Sequence, residues 1–118
     1  MKHVHYSDVE AQNVDLEGAS GVRVRWLIDD SDGAPNFYMR RFDLEPGGMT
    51  PHHEHDWEHE VYILEGSGVA VTEDGERPFE PGDVFFMPGG ERHRFRAGED
   101  GAAFICLIPK SGKGCGAK

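Results

Sequence analysis

The sequence has no long apolar run, almost no cysteine, and too few basic residues to balance its acids. Nothing in it approaches the roughly 20 apolar residues that a membrane-spanning helix requires. The amino terminus, MKHVHYSDVE, lacks the apolar centre of a secretory signal, which predicts a cytoplasmic protein. Cys106, in an apolar stretch, and Cys115, in a Gly-rich tail, do not form a disulfide framework and read as free thiols. Twelve Lys and Arg against 22 Asp and Glu give a net charge of −10. That excludes the basic face that nucleic acid demands, and it disfavours anionic lipid. A convincing helical period is also missing; the one candidate for a helical turn is near residues 6–12.

What the chain does have is alternation and punctuation. Its 118 residues suffice for one domain and are too few for two. In GVRVRWLID, Val22, Val24, Trp26 and Ile28 share one parity and Arg23 and Arg25 the other, the pattern of a half-buried strand. In FYMRRFDL, Arg40 shares parity with Phe42 and Leu44, so it faces the core and needs a partner or a cavity there. Sixteen glycines and seven prolines cut the apolar runs at EPGG (45–48), EDGE (73–76), EPGD (80–83), PGG (88–90) and GEDG (98–101). Asp74-Gly75 reads as a tight hairpin. The expected strands are 20–28, 36–44, 52–55, 58–65, 67–73, 77–80, 84–87, 92–97 and 102–109. Many short strands between such turns predict an all-β sandwich or barrel, and a barrel of this size holds one small ligand or ion in its mouth. The domain is expected over 1–110, followed by a flexible tail over 111–118.

Four histidines crowd into PHHEHDWEHEVYILEG, residues 51–66. In a strand, residues of equal parity face one side, which groups His53, His55 and His59 with Val61 and Ile63 and sends Glu60 the other way. In GDVFFMPGGERHRF, residues 82–95, His93 follows a turn and opens the next strand with Phe95 on its own face. Neutral imidazoles converging in an apolar barrel leave polar atoms unsatisfied unless a cation takes their lone pairs. All-imidazole ligation suits Mn, Fe, Co, Ni, Cu or Zn better than Ca or Mg. Four such ligands either close a tetrahedral site or leave two positions open on an octahedral ion. The His3 and His5 pair has no second half and reads as an ordinary surface strand.

These residues carry a resemblance to the cupin superfamily, whose first motif is Gly-x5-His-x-His-x3–4-Glu-x6-Gly. Gly47, His53, His55, His59 and Gly66 match every spacing, with histidine in the glutamate slot. Taking Glu60 for that slot leaves five residues before Gly66 where the motif has six, so His59 is preferred. The second motif, Gly-x5-Pro-x-Gly-x2-His-x3-Asn, is met by Gly82, Pro88, Gly90 and His93, with Ala97 in place of the asparagine. The motifs span 47–66 and 82–97. The resemblance implies a jelly-roll β-barrel (a double-stranded β-helix) in a small stand-alone cupin. It also implies a four-histidine site of manganese type on His53, His55, His59 and His93, dioxygenase-like chemistry and a homodimer.

Around the histidines, Arg40, Trp57, Phe104 and Cys106 are candidates for the wall of a substrate pocket, and His52 and Glu60 for positions beside the ligands. The expected function is a dioxygenase-like oxidoreductase acting on a small anionic or enolisable substrate. Its alternatives are a metal-dependent isomerase or lyase without redox chemistry, and a binding module without turnover.

Overall fold

The computed structural model describes residues 1–52 and 54–112. Seven antiparallel strands dominate it: β1 (Gln12–Asn13), β2 (Ser20–Ile28), β3 (Phe37–Met49), β4 (His59–Thr72), β5 (Gly75–Phe79), β6 (Val84–Met87) and β7 (His93–Pro109). Their order is β1-β2-β3-β7-β4-β5, with β6 also pairing with β4. The short 3-10 turns are Tyr6–Asp8, Asp30–Asp32 and Lys110–Gly112. Among the described residues no helix is long and apolar enough to cross a membrane. Residues 113–118, most of the expected tail, lie outside the described residues.

Three of the strands are longer than the sequence pattern suggests, because glycine bends a strand here without ending its pairing. The expected strands 58–65 and 67–73 are one strand, as are 92–97 and 102–109, and β3 runs on through Pro46-Gly47-Gly48. The register shifts instead, between Leu44 and Met49 of β3 and between Gly66 and Gly68 of β4. At Gly66 (φ +81°) a Cβ would run into the carbonyl oxygen of Gly101, so only glycine allows the two strands to approach there. The stretch 52–55, expected as a strand, forms none in its described residues.

The bend in β7 closes the barrel. Phe95 and Phe104 stand nine residues apart, which would separate them by about 30 Å along a straight strand. Their ring centroids lie 4.8 Å apart. One strand therefore contributes to both walls, and its two halves face each other through the core. Phe42, Phe79 and Phe85 complete an aromatic cluster around them, with centroid spacings from 4.8 to 6.4 Å.

The expected alternation appears in β4: His59, Val61 and Ile63 are buried, whereas Glu60 and Tyr62 are exposed. In β3, Tyr38, Arg40, Phe42 and Leu44 all face inward and are buried. The β4–β5 hairpin turns at Glu73-Asp74, one residue earlier than the sequence suggests, with Gly75 paired to Thr72. The amino-terminal stretch is not a strand: His5 caps the Tyr6–Asp8 turn. The Tyr6 ring lies under the guanidinium groups of Arg41 (4.0 Å) and Arg25 (5.3 Å), which pins this segment to the outside of β2 and β3.

Candidate metal centre

Two segments distant in sequence are held together at one end of the barrel by backbone contacts. The loop after β3 is fastened to β7 by two hydrogen bonds between Thr50 and Phe95: Thr50 N donates to Phe95 O, and Phe95 N donates to Thr50 Oγ1, each at 2.9 Å. The loop before β7 is fastened to the first in turn. Gly90 N donates to His55 O at 2.5 Å, and Gly89 passes so close to the Asp56 carbonyl that a Cβ would collide with it. These contacts explain why PGG precedes His93. The glycines let the second histidine-bearing segment lie against the first.

The result is a cluster of rings. His59 opens β4 and His93 opens β7, both buried, and His55 is half-buried on the connecting loop. Ring centroids are 4.8 Å apart for His59 and His93, 5.5 Å for His55 and His59, and 6.3 Å for His55 and His93. Trp57 stacks on His55 at 4.2 Å and touches His59 at 4.6 Å. The carboxy-terminal 3-10 turn covers it, with Gly112 against the indole. His53 lies outside the described residues.

The hydrogen bonds leave one ring nitrogen of His59 unserved. His93 Nδ1 lies 3.0 Å from the Glu91 carbonyl oxygen, an acceptor only, so Nδ1 carries a hydrogen and donates it there. His59 Nδ1 lies 3.2 Å from Cys106 Sγ, and its buried Nε2 has no hydrogen-bond partner. Burial above all, then the charge of Arg40 and the neighbouring His93 and His55, pushes His59 down to about 2, so the ring is neutral at physiological pH. A neutral imidazole with a bare Nε2, as at His59, is the donor state a transition metal requires.

The spacing of the rings fits as well. With Nε2 about 2.1 Å from an ion, two ligand rings would have centroids roughly 4.5 to 6.5 Å apart for bond angles of about 90° and wider. All three observed spacings fall in that range. Among the described residues, no three His, Cys, Asp or Glu side chains close an ion site by themselves.

The remaining expected residues divide. Arg40, only 2 % exposed, lies on the inner wall with its guanidinium 4.8 Å from the Phe42 ring and 5.4 Å from Trp26. Its Nη2 donates to Cys106 Sγ at 3.1 Å, and its buried Nε has no partner. None of the ion pairs among the described residues includes it. Cys106 is a buried free thiol whose pKa is raised, mainly by burial. Phe104 is buried and packs against Phe42 and Phe95. Glu60 does not stand beside the rings: strand alternation puts it on the outer face, between Phe86 of β6 and Leu107 of β7. His52 has a buried Nε2 without a partner, and its pKa is lowered by burial and then by Arg92 and Arg94. Thr50 and the Glu91 carbonyl position the site without any sequence signal. The role of Thr50 depends on how the loop after β3 meets β7, and that of Glu91 on the geometry of the turn before His93, neither of which alternation encodes.

Comparison with known proteins agrees with this architecture. The cupin domain model matches residues 40–108, which include both histidine segments. The polyketide cyclase RemF from Streptomyces resistomycificus is 42% identical, over 93% of this chain and 80% of that one, with a TM-score of 0.88. A predicted oxalate decarboxylase from Thermotoga maritima is 27% identical, over 92% and 98% of the two chains, with a TM-score of 0.80. The 1-methylthio-D-xylulose 5-phosphate methylsulfurylase of Rhodospirillum rubrum is 35% identical over 71 residues, 59% of this chain. The chain spans about half, 46%, of that relative's length. Members of the family commonly bind divalent metals. With the matched model covering more than half of its length and the barrel built as described, the chain belongs to the cupin domain family.

Proposed function

We propose that the chain is a metal-dependent enzyme that closes a ring in a small enolisable polycarbonyl compound, without net oxidation. The observation that carries this reading is the bare, buried Nε2 of His59, in a ring that lies 4.8 and 5.5 Å, centroid to centroid, from two further imidazoles. The similarity to a polyketide cyclase over 93% of the chain supplies the reaction class. His53, His55, His59 and His93 would hold the ion, with manganese the first expectation by resemblance and iron, nickel, copper, cobalt or zinc compatible with imidazole donors. A divalent ion at this site supplies Lewis acidity for polarising carbonyl oxygens.

The chain's own residues prepare the place where an anion would form. The His59 ring is neutral and the described rings bring no carboxylate, so they would offset none of an ion's charge. Arg40 adds a buried positive charge one side chain beyond His59, through Cys106. An enolate is stabilised there relative to its neutral ketone, because both charges act through a low-dielectric interior. Trp57, buried against His55 and His59 and capped by the last turn, keeps water from that side of the rings.

The test is turnover of a linear poly-β-ketone thioester by chelator-treated protein reloaded with single metals under anaerobic conditions. The cyclase reading expects a cyclised product with zinc as well as with manganese, and no oxygen consumption when air is admitted. Turnover confined to manganese or iron, with stoichiometric oxygen uptake, identifies the dioxygenase-like chemistry instead. A ligand that survives purification without turnover identifies a binding protein.

The expected homodimer belongs to the same proposal. Tyr62 and Val84 are cross-strand neighbours, as are Glu60 and Phe86, and Tyr62, Val84 and Phe86 form an exposed apolar stripe on the outer wall of β4 and β6. Light scattering of the wild type and of Tyr62→Arg reads whether a second copy covers it.

A further inference from the structure

The polar atoms behind His59 form a short chain, of which the proposed reaction uses only the charge of Arg40. Arg40 and Cys106 are cross-strand partners on β3 and β7, and Cys106 is in turn the partner of Val61, two residues along β4 from His59. The Sγ atom is therefore wedged between two donors-in-waiting, Arg40 Nη2 at 3.1 Å and His59 Nδ1 at 3.2 Å.

We propose that Cys106, anchored by Arg40, is the positioning residue that sets the His59 ring: Sγ accepts the Nδ1 hydrogen, leaving Nε2 bare and turned toward the other imidazoles. A guanidinium has hydrogens and no acceptor, so the sulfur must accept from Arg40. A thiol sulfur has a second lone pair, and Nδ1–H is the donor in reach of it. The reverse arrangement, S–H donating to Nδ1, would put the ring hydrogen on Nε2. That is a buried N–H with no acceptor, and orphaned buried donors are rarer than orphaned acceptors.

The choice of sulfur has a chemical consequence. His93 is oriented by a carbonyl oxygen, the usual partner for a metal-binding imidazole. An aspartate at 106 would orient His59 equally well, but it would neutralise Arg40 and push electron density into the ring. A weak, uncharged acceptor fixes the tautomer while leaving the guanidinium's charge in place. This assignment rests on the reading of His59 as an ion ligand.

Two measurements separate the assignment from that reading. In chelator-treated, 15N-labelled wild type, long-range 1H–15N correlation spectra should show the His59 ring in a single tautomer with hydrogen on Nδ1. A dominant Nε2–H tautomer, or an equal mixture, overturns the proposal whether or not any metal binds. In titrations with manganese or zinc, Cys106→Ala should lose about 10- to 100-fold in affinity, the usual effect of removing an outer partner, and Cys106→Ser should recover most of it. Wild-type affinity in the alanine variant, or a serine variant no better than alanine, overturns it too. Absence of metal binding by the wild type would refute the site itself while the tautomer spectrum still decides the role of Cys106.

Discussion

The two halves of the barrel interior solve burial in opposite ways. One is filled by Phe42, Phe79, Phe85, Phe95 and Phe104, whose rings meet edge to face or stacked and carry no polar atom. The other gathers His55, His59 and His93 beside Trp57, with Cys106 and Arg40 behind His59, and leaves His59 Nε2 and Arg40 Nε without partners. The first is complete as it stands. The second carries the cost of buried polar atoms without partners, which the proposed ion would offset at His59. The difference locates function by energetics: stability is concentrated at the aromatic half and chemistry at the histidine half.

The comparison breaks hardest at Phe104. Phe104→Ala should destabilise the protein by about 3–5 kcal/mol, read by chemical denaturation, because it opens a cavity beneath Phe42 and Phe95. His59→Phe, at the other half, should leave the metal-free protein as stable as the wild type or more so, since it removes an unsatisfied polar group.

Acid sharpens the contrast. His59 stays unprotonated in the fold down to about 2, whereas in the unfolded chain it takes a proton near its ordinary 6.5. The unfolded state therefore binds the extra proton between those values, so the metal-free protein loses stability as pH falls below 6.5. The slope is about 1.4 kcal/mol per pH unit, or about 2 kcal/mol by pH 5. Denaturation at stepped pH should show this contribution in the wild type and its absence in His59→Phe.

The smallest effect belongs outside both halves. Tyr6→Ala removes the ring under Arg41 and Arg25 and should cost about 0.5–1 kcal/mol. Its clearest readout is faster hydrogen exchange confined to the amino-terminal segment, with metal binding unchanged.

Much of this division was legible in the sequence, and its gaps have physical causes. Alternation put His59, Val61 and Ile63 on one face and Arg40 with Phe42, because a half-buried strand writes its period directly into the residues. The same period could not say that 98–101 bends β7 while pairing continues; that depends on the partner strands, and GEDG reads as an ordinary turn. Nor could it tell a pocket wall from a core, and the Phe104 ring packs against Phe42 and Phe95 across strands that a single-strand period does not relate. The Cys106 contact with both Arg40 and His59 rests on the register of three strands, β3, β7 and β4, which no single-strand pattern records.

The most direct measurement is a titration of chelator-treated protein with manganese and zinc, in the wild type and in a His59→Phe, His93→Phe double variant. The account predicts one tightly held ion per chain in the wild type and loss of that binding in a double variant that remains folded. Equal binding by the two proteins, or none by the wild type, would contradict it.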